Sequence, residues 1–285
     1  MTIPSAAAEE LPGTPIKGPS ALGDDPRRFL RLTWTLAITQ FKLKFYGSVL
    51  GYLWQLMRPL MLFGVLYVVF TEFVRLGNDI EFYPVVLLTG IVLYTFVSEA
   101  TGGAVASVVE RETLVRKVQF PRMVIPCAVV LTATLNLMLN LVAVVVFAAI
   151  SGVPLHGSVI QIPVILLALV AFVLGIALVV SALYVRYRDV QPIWDVLLQV
   201  LFYGTPVLYP IEVVPASARE WMMLNPFAAI IQQMRHAVID PTAQSAPIVA
   251  GGWGRLAFSG AIVAAFFLIG FWIFHREAPR IAEEL

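Results

Sequence analysis

The stretch Phe45–Phe70, FYGSVLGYLWQLMRPLMLFGVLYVVF, limits the fold more than any other part of the chain. Lys42 and Lys44 lie just ahead of it, and it closes in an unbroken apolar run from Leu60 to Phe70. A run of this kind enters a membrane, here from a basic side. Short loops beside membrane spans carry an excess of Lys and Arg in the cytoplasm, so the near side reads as cytoplasmic. Tyr46, Tyr52 and Trp54 suit the headgroup level, where an amphipathic ring keeps its polar edge wet. Arg58 and Pro59 are out of place in a plain anchor. The arginine reaches the interface by snorkelling, and the proline starts or kinks the helix.

The remainder of the chain repeats this character. Of its 285 residues, 59% are hydrophobic and 13% charged, against about 45–50% and about 25% in soluble domains. The excess lies in long runs, which predicts an all-α polytopic membrane protein. A net charge of +1 gives no footing for nucleic acid. The single cysteine, Cys127, sits in an apolar run and reads as a small buried residue without disulfide or metal partners.

In chain order, residues 1–26 are rich in Pro, Gly, Ala and acids and read as a disordered cytoplasmic tail. Residues 27–45 read as an amphipathic helix lying in the membrane interface. Leu30, Trp34, Ala37, Phe41 and Phe45 form one stripe, and Arg28, Arg31, Thr35, Thr39 and Lys42 the other. Six spans follow, over 53–74, 84–107, 124–150, 160–184, 193–208 and 256–274, each near the roughly 20 residues needed to cross. Between the fifth and sixth, Pro210, Pro215, Pro226 and Pro241 punctuate a region whose apolar stretches are too short to span. It reads as two short re-entrant helices on the external face, over 215–239. With both ends inside, only Arg75, Arg219, Arg235 and Arg255 of the 19 Lys and Arg residues are external.

The most charged internal stretch, 107–118, alternates Glu110, Arg111, Glu112, Arg116 and Lys117 with Val108, Leu114, Val115 and Val118. This pattern suits a short cytoplasmic helix that docks on a partner as well as it suits a solvated face. Enzyme chemistry has little support: there is no Gly-rich loop ending in Lys-Ser or Lys-Thr and no His-Glu-x-x-His. Glu99 sits within a span with no evident partner, which makes a poor proton relay. Asp195 is near enough to Arg188 in sequence to pair with a cytoplasmic base.

Thr132, Asn136 and Asn140 recur at steps of four on the third span, with further amides at Gln55 and Gln199. They read either as glue between helices or as a wet path between them. Tyr52, Trp54, Phe63, Tyr67, Phe202 and Tyr203 add aromatic rings on the first and fifth spans. An interfacial belt explains the outer rings. The deeper ones pack a core or offer faces on which sugars slide.

Four motifs in this order, SVLGYLWQLMRP, LVRKVQFPRMVIP, RYRDVQPIWDVLLQVLFYGTPVLYP and LNPFAAIIQQMR, resemble the type-2 ABC exporter permeases for cell-surface polysaccharides. That family includes O-antigen, teichoic acid and mycobacterial galactan exporters, and the resemblance covers the chain from Arg27 onward. It implies a homodimer of permeases with two cytoplasmic ABC ATPase subunits. ATP and Mg would be bound by those partners and no cofactor by this chain. It also implies a coupling helix at 107–118, an interface helix at 27–45 and external gate helices at 215–239. The substrate would be a polyprenyl-linked glycan, galactan or O-antigen-like, moving through a channel lined by aromatics of the first and fifth spans. The alternatives are a same-fold permease for a small drug or lipid, and a membrane enzyme acting on lipid-linked sugar. The enzyme would need clustered acids at one depth, which the sequence does not offer.

Overall fold

A computed structural model describes residues 21–22, 25–45, 51–75, 80–117, 120–154 and 156–278; the side chains of Phe45, Tyr52, Leu114, Arg116 and Lys117 lie outside that description. Among the described residues the chain is helical throughout, with no strand. Helix α1 spans Pro26–Phe45 and α2 Gly51–Val68, the latter running on as a π-helical turn over Val69–Phe73. Then come α3 (Tyr83–Val105), α4 (Glu112–Lys117), α5 (Val124–Ile150) and α6 (Ile162–Arg186). The chain closes with α7 (Val190–Gly204), α8 (Ala216–Met222), α9 (Pro226–Val238), α10 (Ala246–Val249) and α11 (Trp253–Glu277).

Five of the described helical segments are long and apolar enough to cross a membrane: Leu53–Phe73, Tyr83–Val105, Val124–Ile150, Gly157–Arg186 and Trp253–Glu277. They agree with five of the six expected spans. The expected span at 193–208 differs. Its helix, α7, starts earlier at Val190 and stops at Gly204 after 15 residues, about 22 Å. Pro206 accounts for the stop, because the ring disfavours helical backbone at Thr205 and carries no amide N–H.

Helix α3 is the hub. It is apolar on nearly all sides, and its first half from Val85 to Leu93 is wholly buried. Helices α2, α5, α6 and α7 pack around it. The α7 segment runs antiparallel to α3 over its whole length: Trp194 Nε1 donates to Thr101 Oγ1 at 3.0 Å, Tyr94 Oη to the Leu198 carbonyl at 3.1 Å, and Tyr83 Oη to the Leu208 carbonyl at 2.9 Å. Gly90 permits the last part of this contact. A Cβ there would stand 2.8 Å from the Val207 carbonyl oxygen.

Helices α6 and α11 form the most extensive pair, and they touch backbone to backbone where Gly175 meets Phe266, Phe267 and Gly270. Small residues allow this approach where lipid provides no hydrophobic drive between helices. The end of this pair on the α4 side is pinned. Buried Arg122 donates through Nη1 to the carbonyl of Ala278, one of the orphan acceptors at the end of α11. Ala21 is buried beside it, and its carbonyl accepts from Met123 N at 3.3 Å. Packing therefore begins before residue 26, inside the expected loose tail. Residues 1–20 and 23–24 of that tail lie outside the described residues.

On the far side, α8 and α9 occupy the expected 215–239 region, joined by 3-10 turn Ile211–Val213 before them and α10 after them. Asn225 and Pro226 start α9: the Asn225 carboxamide accepts from Phe227 N at 3.0 Å, and proline occupies the first helical position. Buried Arg235 on α9 bonds Glu212 Oε2 at 2.7 Å and lies 3.7 Å from Asp240 Oδ2, holding this cap together.

Candidate functional site

Apart from Pro84, the parts of α3 left incompletely covered are Tyr94–Thr95, Ser98–Glu99 and Gly102–Gly103. One helical turn separates each pair from the next, so together they form a seam down one face. Helix α7 bounds one side of the seam through Tyr94 and Thr101, and α2 and α5 bound the other through Glu99.

Glu99 is the centre of the polar part. Its carboxylate accepts from Lys44 Nζ at the end of α1, from Gln55 Nε2 of α2 at 3.2 Å, and from Asn136 Nδ2 of α5 at 2.6 Å. Asn140 Nδ2 continues the series by donating to the Asn136 carbonyl at 3.0 Å, and Thr132 Oγ1 reaches the Ala37 carbonyl of α1 at 3.2 Å. Expected to lack a partner, Glu99 thus has three, contributed by three other helices. Asn136 and Asn140 are 1% and 3% exposed and look inward, so they act as glue between helices.

The opposite wall is built differently. Gln191, Asp195, Gln199 and Tyr203 follow at steps of four on α7, which places them on one face. Asp195, Gln199 and Tyr203 are exposed, Tyr203 to 67%. Gln191 Nε2 approaches Asp195 Oδ1 at 3.5 Å, so the aspartate's described hydrogen-bond partner is the amide rather than the expected Arg188. Arg188 instead lies over the Tyr184 ring at 5.0 Å. An open groove of about 500 Å³ runs along Val196, Gln199, Val200, Tyr203 and Gly204. The neighbouring Phe202 points the other way, 9% exposed, with its ring 4.5 Å from Tyr94 and 5.2 Å from Tyr203.

Helix α2 divides in the same manner. Trp54, Arg58 and Met61 are exposed around a second groove of about 390 Å³. Phe63 and Tyr67 are half-buried and stack at 5.7 Å, and Phe63 meets Phe147 of α5 edge-on at 5.5 Å, so the structure places them in the packing between helices. Tyr52 has its backbone in α2. Of the expected lining residues, then, Trp54, Gln199 and Tyr203 reach an open surface. Phe202, Asn136 and Asn140 do not.

The helix of the charged stretch is shorter than 107–118: α4 covers Glu112–Lys117, preceded by turns over Ala106–Arg111. Val108 and Val115 are buried beneath it with Phe120 and Met123, while Glu110 is exposed. Burial lowers the Arg111 pKa from its ordinary value, neighbouring Glu110 opposes that, and Arg111 Nη1 reaches the Ser107 carbonyl at 3.4 Å. Glu112 is half-buried; Leu114, Arg116 and Lys117 contribute their backbone to α4. Val118 lies outside the described residues. On α1, Arg28, Arg31 and Lys42 are exposed, and Trp34 is 55% exposed. The buried side of α1 is Thr33 and Ala37, packed on α5, so the expected apolar stripe divides: Leu30 and Trp34 turn outward and Ala37 inward.

The α7 stripe is turned outward beside helices long and apolar enough to cross a membrane; within a bilayer such a stripe would need water or another protein surface opposite it, since hydrocarbon satisfies no polar group. Five helices of spanning length and apolarity make this a multi-pass membrane protein. The chain belongs to the ABC-2 type transporter family, whose model matches residues 31–239. It is 32% identical over 199 residues to an O-antigen export system permease protein RfbA of Myxococcus xanthus, covering 69% of this chain and 76% of that protein. It is also 28% identical over 245 residues to an O-antigen export system permease protein RfbA of Klebsiella pneumoniae, covering 86% and 91%.

Proposed function

We propose that this protein is the membrane subunit of an ATP-driven exporter that moves a polyprenyl-linked polysaccharide, an O-antigen-like glycan or galactan, out of the cytoplasm. The observation that carries the reading is the exposed stripe Asp195, Gln199, Tyr203 on α7. Amide and ring edges spaced along one face give a hydroxyl-rich polymer many weak contacts of one kind. Such contacts suit movement, because a tightly held polymer would stall. The names of the relatives point to the same substrate class.

Two copies close the path in this reading, with the seams on α3 and the exposed faces of α2 and α7 turned towards each other. Two ABC ATPase subunits bind ATP and Mg and dock on α4 and the turns before it, through Glu110, Glu112, Arg116 and Lys117. The lipid carrier approaches along the basic helix α1. The α7 segment serves as a sixth crossing, completed by the non-helical residues 205–208 that α3 holds. Both termini are then cytoplasmic, in a bacterial plasma membrane. Irregular backbone is tolerated at that depth where protein covers it, and the Tyr83–Leu208 bond supports this.

The test is depletion of the protein followed by mass analysis of polyprenyl-phosphate glycans in whole-cell lipid extracts. A long glycan accumulating on the carrier is the expected result and identifies the polymer. An unchanged glycan pool would sink the polysaccharide reading.

A further inference from the structure

The side of the molecule away from the seam carries a second concavity. It is a groove of about 550 Å³ between the starts of the spans α6 and α11 and the short helices α9 and α10. Its walls include Val164 and Ala168 on one span and Leu256 and Gly260 on the other, with Ala229 and Ile230 across from them. From Trp253 at the rim to Val263 is ten residues of α11, about 15 Å of depth.

Two observations identify what fills it. First, its mouth is carried by the spans: Val164 and Trp253 on its edge are 70% and 76% exposed, and both belong to segments long and apolar enough to cross. A mouth carried on two such segments would face hydrocarbon in a bilayer. Second, among the described residues no charged one lines it. Its polar groups are largely matched to each other: Gln233 Nε2 donates to Gln161 Oε1 at 2.7 Å, and Gln233 Oε1 accepts from Ala246 N at 3.0 Å. Neither observation depends on what the protein exports. A concave, apolar site of this volume with a few fixed polar groups has the build of a small-molecule pocket.

We propose that this groove is a resident binding site for one hydrocarbon chain of a membrane lipid, taken without regard to headgroup charge. The chain lies between the spans α6 and α11 and the short helices α9 and α10, and it supplies packing that these elements do not supply to one another. The gain is dispersion against a shaped wall, since lipid has no hydrophobic drive to leave lipid. Headgroup selection would require a cation or anion at the rim. The nearby Arg255 lies outside the lining and is engaged by Glu220.

The full-length protein in nanodiscs of phosphatidylcholine bearing a diazirine in one acyl tail provides the test. Photolabel in residues 160–168 and 256–263 is expected to be about tenfold denser per residue than on the exposed α5 residues Val142, Val145 and Val146, the ratio that about 1.4 kcal/mol of preference produces. Gly260→Trp should abolish the excess. Gly260 lines the groove, and a Cβ there meets nothing within 4 Å, so the new side chain starts into open space. Val164→Trp, from an exposed position, should act in the same way. Phosphatidylglycerol carrying the same tail should label equally. Labelling no denser than on α5, no labelling because protein covers the groove, or an excess surviving both tryptophans would each overturn the site. A several-fold preference for the anionic lipid would overturn its indifference to charge.

Discussion

Asn136 on α5 donates to Glu99 on α3 across 2.6 Å, and the same carboxylate oxygen accepts from Lys44 on α1. One acid thereby links α1 to α3 and α5, with Gln55 bringing in α2 as a fourth helix. Lys44 is 38% exposed and can return to water, whereas Glu99 and Asn136 are left facing one another.

This asymmetry orders the variants. Glu99→Ala is expected to destabilise by about 1–3 kcal/mol, because it strips hydrogen bonds from Gln55 and Asn136 together. Lys44→Ala should cost no more than about 1 kcal/mol, as for other solvent-exposed pairs. Thermal unfolding of the purified protein in detergent measures both. Equal losses would show that the pair alone matters and the amides do not.

Neighbouring residues on α7 should separate stability from transport. Phe202→Ala removes a buried ring and should cost about 3–5 kcal/mol of stability. Gln199→Leu with Tyr203→Leu alters only an exposed face, so unfolding should stay within about 0.5 kcal/mol of the parent. Surface glycan in cells carrying that pair should nevertheless fall sharply, and normal export would remove α7 from the path.

Gly90 is predicted to be intolerant of any side chain. Gly90→Ala drives a methyl against the Val207 carbonyl and should destabilise by about 1–3 kcal/mol. Tyr83→Phe removes the one hydrogen bond to the Leu208 carbonyl and should cost about 1 kcal/mol. Protease protection of residues 205–210 should fall in both, and more in the glycine variant.

Reversing Arg116 and Lys117 to Glu is expected to abolish copurification of the ATPase while leaving the unfolding temperature of the permease unchanged. Retained copurification would move docking to another surface of the permease.

The sequence displays what local apolar periodicity encodes and hides what distant pairing encodes. Helix α5 is read with its true ends, Val124 and Ile150, since one apolar run fixes both. The end of α7 is misplaced because Val207 and Leu208 continue the apolar run past Pro206, and hydropathy does not register a lost amide N–H. Glu99 looks solitary because Lys44, Gln55 and Asn136 stand 55, 44 and 37 residues away. The stripe on α7 is present in the sequence at its spacing of four. Which deep rings pack inward is not, because Phe202 and Tyr203 are adjacent and only the helix rotation distinguishes them.

The shortness of α7 also bears on biogenesis. A 15-residue helix falls below the roughly 20 apolar residues that partition into a bilayer unaided. Where α7 is proposed to cross, lipid would leave the carbonyls of the following non-helical residues without donors, and the Tyr83 hydroxyl on α3 provides one. The ribosome delivers α3 about a hundred residues before α7, so the template is in place when the dependent segment emerges. A rearranged gene that encoded α7 ahead of α3 would release that segment into the membrane with nothing to receive it.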